Sequence, residues 1–156
     1  MDAIDRTILE KLQNDGAATY AEIGAAAGLS ASSVNDRLKR LRAEGTIRRM
    51  SAEIDPDAIG LGLLAFVLVV VNHPSHEQGF RDAMKAVPEI LECHHVTGEF
   101  SYLLKLRLRN TAHLEHFLMN RLKPLAGVSR TQTLIALSST KETHILPATL
   151  PGAIDA

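Results

Sequence analysis

The sequence predicts an α+β chain in which an N-terminal winged helix-turn-helix is followed by a ferredoxin-like βαββαβ domain. Three observations carry this. Short helix-spaced apolar patterns, each with its own cap, fill the first 45 residues. An almost unbroken apolar run, Leu61 to Val71, opens the second part. Helical and alternating patterns then follow in the order β-α-β-β-α-β.

Ile4, Ile8, Leu9 and Leu12 recur at helical spacing behind Asp2, a suitable N-cap, and Gly16 ends the pattern. Thr19 and Glu22 have the spacing of a capping box, in which each side chain satisfies a free amide of a new helix. Tyr20, Ile23, Gly24 and Ala27 would share one face of that helix, and Gly28 supplies a left-handed exit. Ser30 caps a third helix running to about Glu44, with Val34, Leu38 and Leu41 as its buried stripe. Ile47 to Ile54 reads as a short strand or wing.

Measured around that third helix from Val34, Ser32, Asp36 and Lys39 face away from the core, Ser33, Arg37 and Arg40 lie on one flank, and Asn35 and Arg42 on the other. The chain carries a net charge of −1, yet Arg37, Lys39, Arg40, Arg42, Arg48 and Arg49 crowd one short stretch against the single acid Glu44. Such a face offers hydroxyl, amide and guanidinium groups to base edges and phosphates, as a recognition helix in a major groove must. The candidate DNA contacts are therefore Ser32, Ser33, Asn35, Arg37, Lys39, Arg40, Arg48 and Arg49. The plainer alternative is a solvated basic face on three packed helices.

Asp55-Pro56-Asp57 and the glycines at 60 and 62 break the pattern, so the expected division is a DNA-binding domain over 1–54, a linker over 55–62, a second domain over 63–147 and a tail over 148–156. Phe80, Ala83, Met84 and Val87 form an amphipathic helix stopped by Pro88. A strand at about Ile90 to Val96 precedes the Gly98 turn. Leu104, Leu106 and Leu108 then alternate with Lys105, Arg107 and Arg109. Leu114, Phe117, Leu118 and Leu122 give a second helix, and Val128 to Leu137 a last strand. Two helices cover one sheet face only, which leaves the other to a second copy of the chain; the alternative, cover by the chain's own tail, is weaker because Pro147 to Ala156 is short and rich in Pro, Gly and Ala.

Composition narrows the setting. Cys93 is the only cysteine in 156 residues, so no intrachain disulfide is available, and the start lacks a basic flank and apolar stretch for export; a cytoplasmic protein without membrane contact is expected. Cys93, His94 and His95, or His113 and His116, invite a metal, but neighbouring strand residues point to opposite faces, and none is expected.

Ile4-Asp5-Arg6-Thr7-Ile8-Leu9, Gly28-Leu29-Ser30, Arg37-Leu38-Lys39-Arg40-Leu41, Glu44-Gly45-Thr46-Ile47 and the run from Glu92 through Gly98-Glu99-Phe100-Ser101-Tyr102 to Leu104 resemble the leucine-responsive and asparagine-regulator (Lrp/AsnC) family over about residues 2 to 147. The resemblance implies a regulator of transcription that binds double-stranded DNA, assembles as dimers and then tetramers or octamers, needs no cofactor, and responds to an amino acid or related small molecule. It implies effector contacts at Gly98, Glu99, Ser101 and Tyr102, and Thr131 and Thr133 on the last strand can add hydroxyls. Ser101 stands where the family commonly carries Asp, so either the effector differs or Glu99 supplies the charge. Two other readings remain open at this point: a sequence-indifferent architectural DNA binder, and an enzyme like the tetrapyrrole-pathway decarboxylases that resemble the same family.

Overall fold

The computed structural model describes residues 1–148, which divide into two compact units: residues 1–53 together with the stretch from Lys141, and residues 54–140. The sequence division counted residues as far as 147 with the second domain; in the structure the stretch from Lys141 folds with the first. Gln13 accounts for this locally, because its side chain donates to the Leu146 carbonyl (3.0 Å) and accepts from the Leu146 amide (2.8 Å). Arg6 donates to the Ala148 carbonyl nearby. The tail expected over 148–156 otherwise lies outside the described residues.

The first unit holds α1 (Ala3–Asn14), α2 (Tyr20–Ala27) and α3 (Ala31–Ala43). Each begins where a side chain can replace the missing helical acceptor. Asp2 and Asp5 form a reciprocal capping box at α1, Thr19 and Glu22 form another at α2, and the Ser30 hydroxyl accepts from the Ser33 amide at α3. Ile8, Ile23, Val34 and Leu38 interlock as the core, with Ile4, Leu12, Ala27, Leu29 and Ile47 packed against them. Tyr20 departs from the expected buried face and is 39% exposed. As the first residue of α2 its side chain leans back past the helix end, where no turn covers it.

The α2–α3 corner depends on close backbone approach. A Cβ on Gly24 would lie 2.5 Å from the Leu29 carbonyl oxygen, so only glycine lets the chain fold back this tightly. Gly28 closes α2 in the left-handed conformation at φ 67°. The wing does not form as expected, since residues 47–54 carry no strand ladder. A strand needs a partner for its amides and carbonyls, and the described part of this unit supplies none; the Ile47 amide donates instead to the Leu41 carbonyl.

The second unit contains β1 (Leu63–Val71), α4 (Pro74–Lys85), β2 (Ile90–His95), β3 (Tyr102–Leu108), α5 (Thr111–Phe117), a π-helical turn (Leu118–Leu122) and β4 (Val128–Ile135). The strands pair antiparallel in the order β2-β3-β1-β4, the arrangement expected of a ferredoxin-like domain. The expected linker is not extended: the Gly60 amide bonds the Asp57 carbonyl and the Leu61 amide the Pro56 carbonyl, making a compact turn. Helix α4 starts six residues before Phe80, because Pro74 can occupy a first turn and the His73 ring accepts from the Ser75 amide.

Register decides what each strand residue faces. Ala65, Val67, Val69 and Val71 are buried on the helix side with Leu104, Leu106, Phe80, Met84, Phe117 and Leu122. The alternate residues Phe66, Leu68 and Val70 lie only partly covered on the other face. Beside them stand Leu103, paired with Leu68, and Leu134, paired with Phe66 and 48% exposed. No helix of the described residues is long and apolar enough to cross a membrane.

Candidate nucleic-acid interface and effector loop

Helix α3 projects its polar side away from Val34, Leu38 and Leu41, and Ser32, Asp36 and Lys39 are exposed there as the helical spacing requires. Asn35 is half-buried at the edge. The Ser33 hydroxyl lies 3.0 Å from that of Ser30 and so belongs to the cap as well as to the surface. Arg48 and Arg49 are exposed beyond the helix, and Arg42 reaches back to the Met50 sulfur at 3.3 Å.

Arg37 and Arg40, both expected to contact DNA, are turned toward α1. Arg37 Nη1 donates to Asp2 Oδ2 and Asp5 Oδ1, each at 2.7 Å, and Arg40 Nη2 donates to both Asp5 oxygens at 2.9 and 2.8 Å. Asp5 is 1% exposed and is the buried charged residue of this unit's described part. Burial resists its ionisation, but the hydrogen bonds from Arg40, the Asp2 amide and Arg37 outweigh that and hold its carboxyl well below the usual carboxylate range. The same contacts raise both guanidinium pKa values. The acid at position 5 therefore ties the two flanking arginines of α3 to α1 and sets the tilt of the exposed face. Lys39, Arg42, Arg48 and Arg49 are exposed and have no ion pair among the described residues.

Residues 96–101 connect β2 to β3 around Gly98, whose φ of 112° favours glycine. Ser101 is a structural clasp: its amide donates to the Val69 carbonyl, its carbonyl accepts from Val96, and its Oγ accepts from the Val71 amide at 3.2 Å. Glu99 is 74% exposed and pairs with Arg130 of β4 at 2.8 Å. The Arg130 guanidinium also lies 4.6 Å from the Phe100 ring centre. Sequence reasoning missed Arg130. Alternation along β4 offered it as readily as its neighbours, but the choice of face needed the pairing with β1.

Three expected effector residues lie on the other face. Tyr102 and Thr131 both pair with Val69, and Thr133 pairs with Val67, which places all three on the helix side. Tyr102 is buried there against Phe80 and His95, with its hydroxyl 3.3 Å from Arg81 and 3.4 Å from Glu77. The loop thus gathers Gly98, Glu99 and Ser101 with Phe100 and Arg130, and leaves Tyr102, Thr131 and Thr133 to the core side. Cys93 pairs with buried Leu104 and His94 with Leu103, so these neighbours face opposite ways. Among the described residues no group of three or more metal-ligating side chains converges.

The AsnC-type helix-turn-helix domain model matches residues 1–42, and the Lrp/AsnC ligand-binding domain model matches residues 64–146. The HTH-type transcriptional regulator FL11 of Pyrococcus horikoshii is 38% identical over 147 residues, covering 94% of this chain and 96% of its own. The leucine-responsive regulatory protein of Escherichia coli K12 is 34% identical over 148 residues, covering 94% and 90%. Among solved structures, a transcriptional regulator of Neisseria meningitidis in complex with L-Met superimposes with a TM-score of 0.90 at 32% identity, covering 94% and 96% of the two chains. A feast or famine regulatory protein from M. tuberculosis complexed with L-methionine gives 0.85 at 35% identity, covering 93% and 97%. By the match of both domains in this order and the similarity along nearly its whole length, the chain belongs to the Lrp/AsnC family of transcriptional regulators.

Proposed function

We propose that this regulator reads specific DNA sites as a dimer, through Ser32, Asn35 and Lys39 of α3 with Arg48 and Arg49 on the phosphates, and that an α-amino acid at the Gly98 loop biases its assembly or DNA affinity. The observation that carries the DNA reading is the sorting of α3. Its arginines at 37 and 40 are engaged by Asp2 and Asp5, while Ser32 and Lys39 stay free on the outer face. That is the division of labour of a recognition helix, with one side braced and the other presented. Work on DNA belongs in the cytoplasm.

The effector reading rests on Glu99 and Arg130. A carboxylate and a guanidinium held side by side at the sheet end complement the ammonium and carboxylate of a zwitterion. Glu99 thereby supplies the acceptor charge that Ser101 lacks. Relatives solved with L-methionine support an amino acid as the ligand class. The dimer reading rests on Phe66, Leu68, Val70, Leu103 and Leu134, an apolar strip that two helices leave uncovered and a second copy can cover in kind. Dimers joined as tetramers or octamers would then present several recognition helices to one length of DNA.

The test is a titration of the purified chain on the DNA upstream of its own gene and on a scrambled duplex of equal length, at two salt concentrations with and without L-methionine. Tighter binding to the first duplex, with log affinity falling by about 0.9 per neutralised phosphate for each tenfold rise in salt, is the expected result. Equal affinity for both duplexes overturns sequence-specific reading in favour of an architectural role.

A further inference from the structure

At the far end of β3 from the Gly98 loop, roughly 20 Å along the strand at about 3.3 Å per residue, a concavity of about 540 Å³ opens between the α4–β2 corner, the β3–α5 turn and the π-helical turn. Glu89, Arg109, His113, His116, Phe117 and Arg121 are prominent in its walls. Its charge is unbalanced. Two guanidinium groups, neither with an ion pair among the described residues, face one carboxylate, and that carboxylate is already engaged: His113 Nε2 lies 3.2 Å from Glu89 Oε1.

The histidine is oriented from behind. The Arg109 amide donates to His113 Nδ1 at 3.4 Å, so Nδ1 is the acceptor and Nε2 carries the proton given to Glu89. The negative charge is thus drawn to the His113 side, and Arg109, Arg121 and His116 are left as the donors of the concavity.

The π-helical turn is what brings two of these donors together. In a continuous α-helix Arg121, five residues beyond His116, would sit about 140° around the axis from it. The Lys123 amide instead bonds the Leu118 carbonyl, an i→i+5 closure that widens the turn and brings residues five apart toward one face. Both side chains consequently line the same hollow. The same closure brings Phe117 and Leu122, likewise five residues apart, together into the core, so the burial of that pair and the placing of His116 beside Arg121 arise from one turn.

We propose that this concavity is a second small-molecule site, one that takes a phosphate group through Arg109, Arg121 and His116. Guanidinium forks match tetrahedral oxyanions in bidentate geometry, and two with an imidazole suit a dianion better than a lone carboxylate. The volume exceeds what free phosphate fills, which leaves room beside the anion for an organic carrier. The site is independent of the amino-acid reading of the Gly98 loop.

The experiment is a calorimetric titration of the full chain with sodium phosphate and, separately, glycerol 3-phosphate, at ionic strength held constant with sodium chloride, alongside NMR of the histidine side chains. Saturable binding that shifts the His116 resonances is expected. It should weaken at least tenfold in both R109Q and R121Q and stay unchanged in R48Q, whose lost cation lies in the DNA-binding unit. Tighter binding of the ester assigns the site to a phosphorylated metabolite, and equal affinities assign it to the free anion. Titrations that do not saturate, or binding lost in R48Q and kept in R121Q, overturn the proposal. Because Arg121 is exposed, its substitution leaves the core intact, and unchanged DNA binding by R121Q verifies that.

Discussion

Asp5 shows how much one side chain can organise. It caps its own helix through the Asp2 amide, accepts from Arg37 and Arg40, and does so at 1% exposure. Removing the charge weakens the charge-assisted hydrogen bonds from two guanidiniums that still reach water, and hydrogen bonds to a charged group contribute about 1.5–3 kcal/mol. D5N is therefore expected to lower the stability of the first unit by about that amount at pH 7, measured by denaturant unfolding. The pH dependence follows from the direction of the shift. Since the folded-state pKa lies below the unfolded value of about 3.9, the Asp5 contribution is complete above that value and is lost as pH falls toward the folded pKa. The gap between wild type and D5N should then be constant from pH 7 to about 5 and narrow below 4. A gap that widens on acidification contradicts the assignment. At the DNA surface the roles separate similarly. S32A is expected to reduce discrimination between sites by about 1–3 kcal/mol per lost base contact. R48Q should instead weaken all duplexes alike and lower the salt slope by about one.

At the scale of elements, the α2–α3 corner was legible in the sequence because its signals are local. Thr19, Glu22, Gly28 and Ser30 are each read from a window of a few residues, and each occupies the expected cap. The buried stripe of α3 and the order of the second unit were legible for the same reason, since periodicity is a local property. What was not legible depends on distant partners. The turn of Arg37 and Arg40 toward Asp2 and Asp5 spans more than thirty residues of chain. The facing of Tyr102, Thr131 and Thr133 is set by the pairing of β3 and β4 with β1, and a one-residue change of register reverses it. The π-helical turn is masked in the apolar spacing, because Leu118 and Leu122 keep an ordinary four-residue step while it is Phe117, five residues before Leu122, that shares the core with it. Within the corner the sharpest prediction concerns Gly24. G24A places a methyl 2.5 Å from a backbone oxygen that cannot rotate away, so α2 and α3 must separate. The expected cost is about 1–3 kcal/mol in stability, with a larger loss of DNA affinity than S32A causes, because every contact of α3 moves together. Unfolding and binding measured on the same preparation check both parts.

For the whole molecule the open sheet face is the decisive surface. Phe66, Leu68 and Val70 alternate along β1 with residues buried under the helices, so the helices that cover one set leave the other open. Leu68 stands central in its row, between Leu103 of β3 and Gln132 of β4. A charge there would be tolerated by a monomer with one wet face, and it would be strongly opposed in a face-to-face dimer, where an unpaired buried charge costs several kcal/mol. L68K is accordingly expected to convert the chain to monomers in sedimentation velocity while its circular dichroism stays that of the folded protein. Its affinity for a single half-site should remain within about twofold, because α3 and its bracing by Asp5 are untouched. Its affinity for two half-sites spaced about 34 Å apart should fall by far more, since that spacing is read only when two recognition helices are fixed relative to each other. If L68K remains dimeric, the subunits meet elsewhere. If it is monomeric and keeps full affinity for the double site, the chain binds each half-site independently, and the spacing of its targets carries no information.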